Sequence, residues 1–90
     1  MNTYIISYDA DSNLDQLKSA LKRFEGYYNF FQNSWLVKTE ISTAKEVYDK
    51  LIKMSGCSSD RIVVFKVDGS SAPDSYWGRM NENLWEWMKD

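Results

Sequence analysis

A single α+β domain, in which one antiparallel sheet of four strands carries two helices on one face, is what the sequence predicts, on three observations. Short runs rich in Tyr, Ile, Val and Phe alternate with longer runs whose apolar residues recur every three or four positions. These runs fall in the order strand, helix, strand, strand, helix, strand, with Gly, Asn and Asp between them. The 90 residues, 43% hydrophobic and 16% aromatic, suffice for one core and are too few for two.

The first strand is expected over Thr3–Tyr8, overlapping the stretch YIISYDA (Tyr4–Ala10), with Tyr4, Ile6 and Tyr8 on one face and Ile5, Ser7 and Asp9 on the other. Ser12 or Asn13 can cap a helix whose Leu14, Leu17, Leu21 and Phe24 form a stripe, while Lys18, Lys22 and Arg23 point elsewhere; Gly26 is expected to end it. Tyr27–Phe31 and Ser34–Thr39 are two strands around Gln32-Asn33, a hairpin whose turn lacks the usual glycine. Thr43 and Glu46 have capping-box spacing ahead of a helix with Ala44, Val47, Tyr48, Leu51 and Ile52 inward, closed by Gly56. DRIVVFKVD, Asp60–Asp68, is the last strand, stopped by the Gly-Ser-Ser-Ala-Pro segment.

That order, βαββαβ, is the split βαβ or ferredoxin-like arrangement, with the first and third strands central. One domain spans 1–90: a core over 1–68, then a Trp-rich segment over 74–90 where Trp77, Met80, Leu84, Trp85 and Met88 are spaced for a short C-terminal helix. The strands are apolar or aromatic on both faces, including Tyr4, Tyr8, Tyr28, Phe30, Trp35, Ile62 and Val64. The face without helices therefore needs a cover, either a second copy of the chain or the C-terminal segment.

A formal charge of −2 argues against a surface built to wrap duplex nucleic acid. The chain has no histidine, and its lone Cys57 allows neither an internal disulfide nor a structural zinc site. Any metal would be a hard ion held by carboxylates and water, magnesium or manganese. With no leader pattern and no long apolar run, a cytoplasmic protein without a membrane role is expected.

Candidate functional residues each carry two readings. Asp9 is a metal ligand and catalytic group, or a strand-end carboxylate grouped with Asp11 and Asp15 near a helix N-terminus. Lys18, Lys22 and Arg23 are phosphate contacts or a solvated helix face. Trp77, Trp85 and Trp87 anchor a protein partner or seal the sheet. Tyr27-Tyr28 and Phe30-Phe31 stack bases or pack, and the glycine-rich basic consensus of RNA-recognition modules is absent around them.

Three segments, YIISYDA, FFQNSWLVKT and DRIVVFKV, resemble the CRISPR-associated protein 2 family and its SinR-like and virulence-associated protein D relatives. The likeness lies in a first strand ending Tyr-Asp, in a Gln-x-Ser element entering an apolar strand (Gln32, Ser34, Trp35), and in Asp60 opening the last strand; it covers about the first two-thirds of the chain. The tail WGRMNENLWEWMKD looks more like the SinR-like branch. The resemblance implies a homodimer. In some members it also implies metal-dependent cleavage of RNA or DNA by the strand-end Asp of each subunit, here Asp9, with magnesium or manganese between the two. Three cations on the first helix are a thin supply for nucleic acid. The resulting expectation is a homodimeric interaction protein that binds another protein or nucleic acid without catalysis, of phage or mobile-element origin and with a bearing on phage defence. The alternative is an endonuclease using Asp9.

Overall fold

The computed structural model describes residues 1–9, 14–56, 61–67 and 82–89. The elements are β1 (Asn2–Asp9), α1 (Leu14–Leu21), β2 (Gly26–Phe31), β3 (Ser34–Thr39), α2 (Ala44–Ser55), β4 (Arg61–Val67) and α3 (Glu82–Lys89). The four strands form one antiparallel sheet in the order β2-β3-β1-β4, the α+β ferredoxin-like arrangement, with β1 and β3 central. The helix caps expected at Ser12 or Asn13 and the strand ends Asp60 and Asp68 lie outside the described residues.

Alternation along β1 divides the molecule into two layers of core. Tyr4, Ile6 and Tyr8 join Leu17, Ala20, Leu21 and Phe24 beneath α1, Val47 and Leu51 of α2, and Trp35 and Val37 of β3 in one buried cluster, with Ile62 and Val64 packed at its margin. Ile5 points the other way, opposite Leu36 of β3 and Phe65 of β4. Leu36 forms a second cluster with Leu84 and Met88 of α3, with Ile5, Tyr28, Phe30 and Trp87 around it. The chain's own C-terminal helix thus covers the second face over β2 and β3. Trp77 and Met80, which the spacing assigned to that helix, lie outside the described residues. Burying side chains the size of Leu36, Leu84 and Met88 contributes about 1.5–3 kcal/mol each, enough to hold a helix of two turns that could not persist alone.

Lys38 fastens this layer. It is buried on β3, its Nζ donates to the Trp87 carbonyl at the C-terminal end of α3, and the same ammonium lies 4.2 Å from the centroid of the Trp87 ring. A cation there meets both the negative end of the helix dipole and an aromatic face. The Trp87 ring in turn lies 6.1 Å from that of Tyr28.

Three local features differ from, or refine, the sequence reading. Gly26 does not end α1, which stops at Leu21 and tightens through Arg23 N–H to Ala20 C=O at 3.0 Å. Gly26 opens β2 instead, because a Cβ there would lie 3.2 Å from Cβ of Lys38 on the neighbouring strand. The Gln32-Asn33 hairpin closes without a positive-φ residue, since a bulge between Asn29 and Phe31 absorbs the mismatch in twist. The Asn29 side-chain amide donates to the carbonyls of Phe31 and Ser34 across that bulge. At α2, Thr43 Oγ1 accepts the Glu46 N–H at 3.2 Å as expected, but the Glu46 carboxylate takes the Thr43 hydroxyl, at 2.8 Å, as its own partner. Gly56, at φ +73°, ends the helix in the left-handed conformation.

Glu25 locks the ends of β2 and β3 together. Its Oε2 accepts the Glu40 backbone N–H at 2.9 Å and the Thr39 hydroxyl at 3.0 Å. The Glu40 N–H above all favours the carboxylate and lowers its pKa; burial opposes it next, and the Glu25 N–H, the Thr39 hydroxyl and the charge of Lys50 add to the lowering.

Two outcomes follow from these contacts. Leu84→Ala should lower unfolding free energy by about 2–5 kcal/mol in a denaturant titration, with a gain in binding of a hydrophobic dye; an unchanged midpoint would mean α3 adds nothing to the fold. The Glu25 carboxylate, with its folded pKa below the ordinary 4.5, adds stability above that value which is lost as pH falls through the lowered pKa. Melting temperature should therefore drop on acidification below pH 4.5, and Glu25→Gln should flatten that segment of the profile.

Candidate functional site

Asp9 stands exposed at the last position of β1, in register with Arg61 of β4. Among the described residues no three acidic, histidine or cysteine side chains converge as a metal site. The Gln-x-Ser element serves the strand junction. Gln32 is exposed in the turn, Ser34 Oγ lies 2.9 Å from Ser7 Oγ, and the Trp35 indole N–H donates to the Tyr8 hydroxyl at 3.0 Å in the core. Burial raises the pKa of the Tyr8 phenol, outweighing the Trp35 bond that lowers it, so the hydroxyl that accepts from Trp35 is neutral at neutral pH.

The three cations of the first helix do not act together. Lys18 and Lys22 line one side of an open groove of about 400 Å³, whose other side is Tyr27, Tyr28 and Asn29 of β2 and whose floor is Trp35. Lys22 continues the helical turn, its N–H meeting the Lys18 carbonyl at 3.2 Å, so the two ammonium groups rise from one helix face. Arg23, one residue further round, lines a separate hollow of about 310 Å³ with Asp15, Gln16, Ser19, Ala20 and Met54. The Tyr27 ring is 44% exposed and lies 6.1 Å from the buried Trp35 ring, tilted by 42°. Nothing in the sequence pairs these lysines with Tyr27 and Asn29, because the α1–β2 connection alone brings them face to face. The shared i, i+4 spacing of the lysines was the one available signal.

Of the three tryptophans read as partner anchors, Trp77 lies outside the described residues, as does the side chain of Trp85, although its backbone belongs to α3. Trp87 is half-buried between Lys38 and Tyr28. A surface that the sequence reading passed over lies on β4. Val63 and Phe65 alternate onto the same face as Ile5 and Leu36 yet are 43% and 59% exposed, where the cover of α3 stops. Among the described residues β4 pairs only with β1, so this apolar strip runs beside an unpaired strand edge.

The chain has no significant match among protein-family models, curated proteins or solved structures. Among the described residues no helix is long and apolar enough to cross a membrane.

The exposure of Asp9 sets an expectation for its removal. Asp9→Asn should change unfolding free energy by no more than about 0.5 kcal/mol, as measured by denaturant titration. A larger loss would assign Asp9 a structural bond.

Proposed function

We propose that this chain is a small homodimeric interaction protein of the CRISPR-associated protein 2 and SinR-like neighbourhood, working by binding and not by catalysis. The observation that carries the proposal is the exposed Val63–Phe65 strip on the open edge of β4. Edge strands with apolar, lightly charged faces pair with another strand unless something prevents it. The sequence of β4 is suited to pairing with itself. Two copies meeting antiparallel with Val64 opposite Val64 set Val63 of each opposite Phe65 of the other on the face beside α3. Arg61 then lies opposite Val67 and Lys66 opposite Ile62, so no two cations face each other. Both exposed apolar side chains become buried, and the two sheets join into one.

The same register argues against shared metal chemistry. Asp9 is aligned with Arg61, three residues from the two-fold centre at Val64. At about 3.4 Å per residue the two Asp9 positions are roughly 20 Å apart along the strands, and about 14 Å apart across them at about 4.8 Å per strand. Carboxylate oxygens on one magnesium, bound at about 2.1 Å, lie no more than about 4 Å from each other. Binding to another protein, in a phage or mobile-element setting, accords with the acidic balance and small size of the chain.

Light scattering and sedimentation should find a dimer for the wild-type chain, and a folded monomer for Phe65→Glu. A wild-type chain that stays monomeric at micromolar concentrations refutes the proposal. Incubation with RNA and with DNA in magnesium or manganese should yield no cleavage; cleavage that Asp9→Asn abolishes would establish the endonuclease reading in its place.

A further inference from the structure

We propose that the groove between α1 and the outer edge of β2 docks an extended acidic peptide, which adds to the sheet as a further strand. The inference rests on the reading of the chain as an interaction protein and names a partner class and a place for it. Side chains of neighbouring strand residues point to opposite faces, so a groove lined by Tyr27, Tyr28 and Asn29 in succession runs along the strand's edge and not over one face. Among the described residues β2 pairs only with β3, which leaves the outward N–H and C=O groups of alternate residues facing that groove. A helix on one side and an unpaired strand on the other is the geometry by which extended peptides are captured through main-chain hydrogen bonds.

Charge selects the occupant. Both ionised groups on the groove wall are cations, Lys18 and Lys22, and none of its lining residues is acidic. Four helical residues rise about 6 Å, close to the roughly 6.6 Å between alternate residues of a strand. Two acidic side chains at alternate peptide positions can therefore meet the two lysines in turn. Residues between them fall on the opposite face, toward Tyr28 and the α3 layer, and that position favours apolar side chains. The exposed Tyr27 ring adds an amphipathic contact beside the lysines. A single-stranded nucleic acid would also meet cations and a ring here. The groove offers it one exposed ring and two charges, whereas the strand edge offers a peptide a row of backbone partners.

The test uses the full chain and a fluorescent peptide of alternating glutamate and valine. Binding should saturate, weaken with added salt, and fall about tenfold or more in the Lys18→Glu/Lys22→Glu double variant, whose circular dichroism should match wild type. Amide exchange in Gly26–Asn29 should slow when the peptide binds, and a lysine–valine peptide should not compete. Absence of binding, binding indifferent to the charge reversal, or unchanged exchange in β2 overturns the proposal. Displacement of the peptide by a short oligothymidylate that binds more tightly at the same amides overturns it in favour of nucleic acid. β2 and β4 are opposite edges of the sheet, so the Phe65→Glu chain should bind the peptide as wild type does; failure of the dimer and failure of the groove are read separately.

Discussion

Strand β1 is paired on both edges, with Tyr4, Ile6 and Tyr8 on one face and Ile5 on the other, and the remaining structure answers that constraint. Its neighbours β3 and β4 satisfy its backbone, which leaves its side chains to dictate what lies above and below the sheet. Tyr4, Ile6 and Tyr8 require the two helices. Ile5, with Leu36 beside it, requires a third layer, since a bare face of that composition would be a patch that water disfavours. The chain supplies the layer from its own end with a helix of eight residues, too short to be stable alone, so α3 exists because the sheet beneath it is apolar.

Buried polar groups follow from the same constraint. Placing tyrosines on the inner face of β1 brings two phenols into the interior, and each has a partner: Tyr4 donates to the Ile41 carbonyl at 2.5 Å, and Tyr8 accepts from Trp35. The Ile41 carbonyl also receives the Asn2 amide at 3.0 Å, and Lys66 reaches the adjacent Ser42 carbonyl at 2.8 Å. The loop that turns the chain from β3 into α2 is thereby tied to both β1 and β4. An unpaired phenol in the core costs about 1–3 kcal/mol, so these bonds fix the register of the central strands as well as stabilising them.

Much of this was legible from period alone. The two-residue alternation of YIISY assigns Tyr4, Ile6 and Tyr8 to one layer and Ile5 to the other without knowledge of any neighbour. Legibility ended where one residue type satisfies two different physical demands. A glycine after Phe24 fits a helix end and fits a strand start crowded by Lys38; only the distance to Lys38 tells them apart. Lysine on a strand reads as a solvent-facing residue, yet Lys38 is buried because its ammonium finds a helix C-terminus and an indole. Lys18, Lys22 and Arg23 read as one basic cluster because they are close in sequence, whereas α1 ends at Leu21 and the tighter turn beyond it carries Arg23 into a different hollow. Asp9 invites a metal-ligand reading by its position at a strand end, where the sheet leaves it exposed and in register with Arg61.

The third layer also decides where the molecule can meet others. α3 packs over β2 and β3 and leaves Val63 and Phe65 exposed on the same face of β4. At the opposite edge Lys18 and Lys22 wall a groove beside β2, close to the exposed Tyr27. An apolar strip disfavours charged partners, because burying their charge without a counterion costs several kcal/mol. A lysine-walled edge repels a second copy of itself by like charge and admits an acidic chain. The two edges of one small sheet thus offer different chemistry, Val63 and Phe65 at one and a lysine-walled groove at the other.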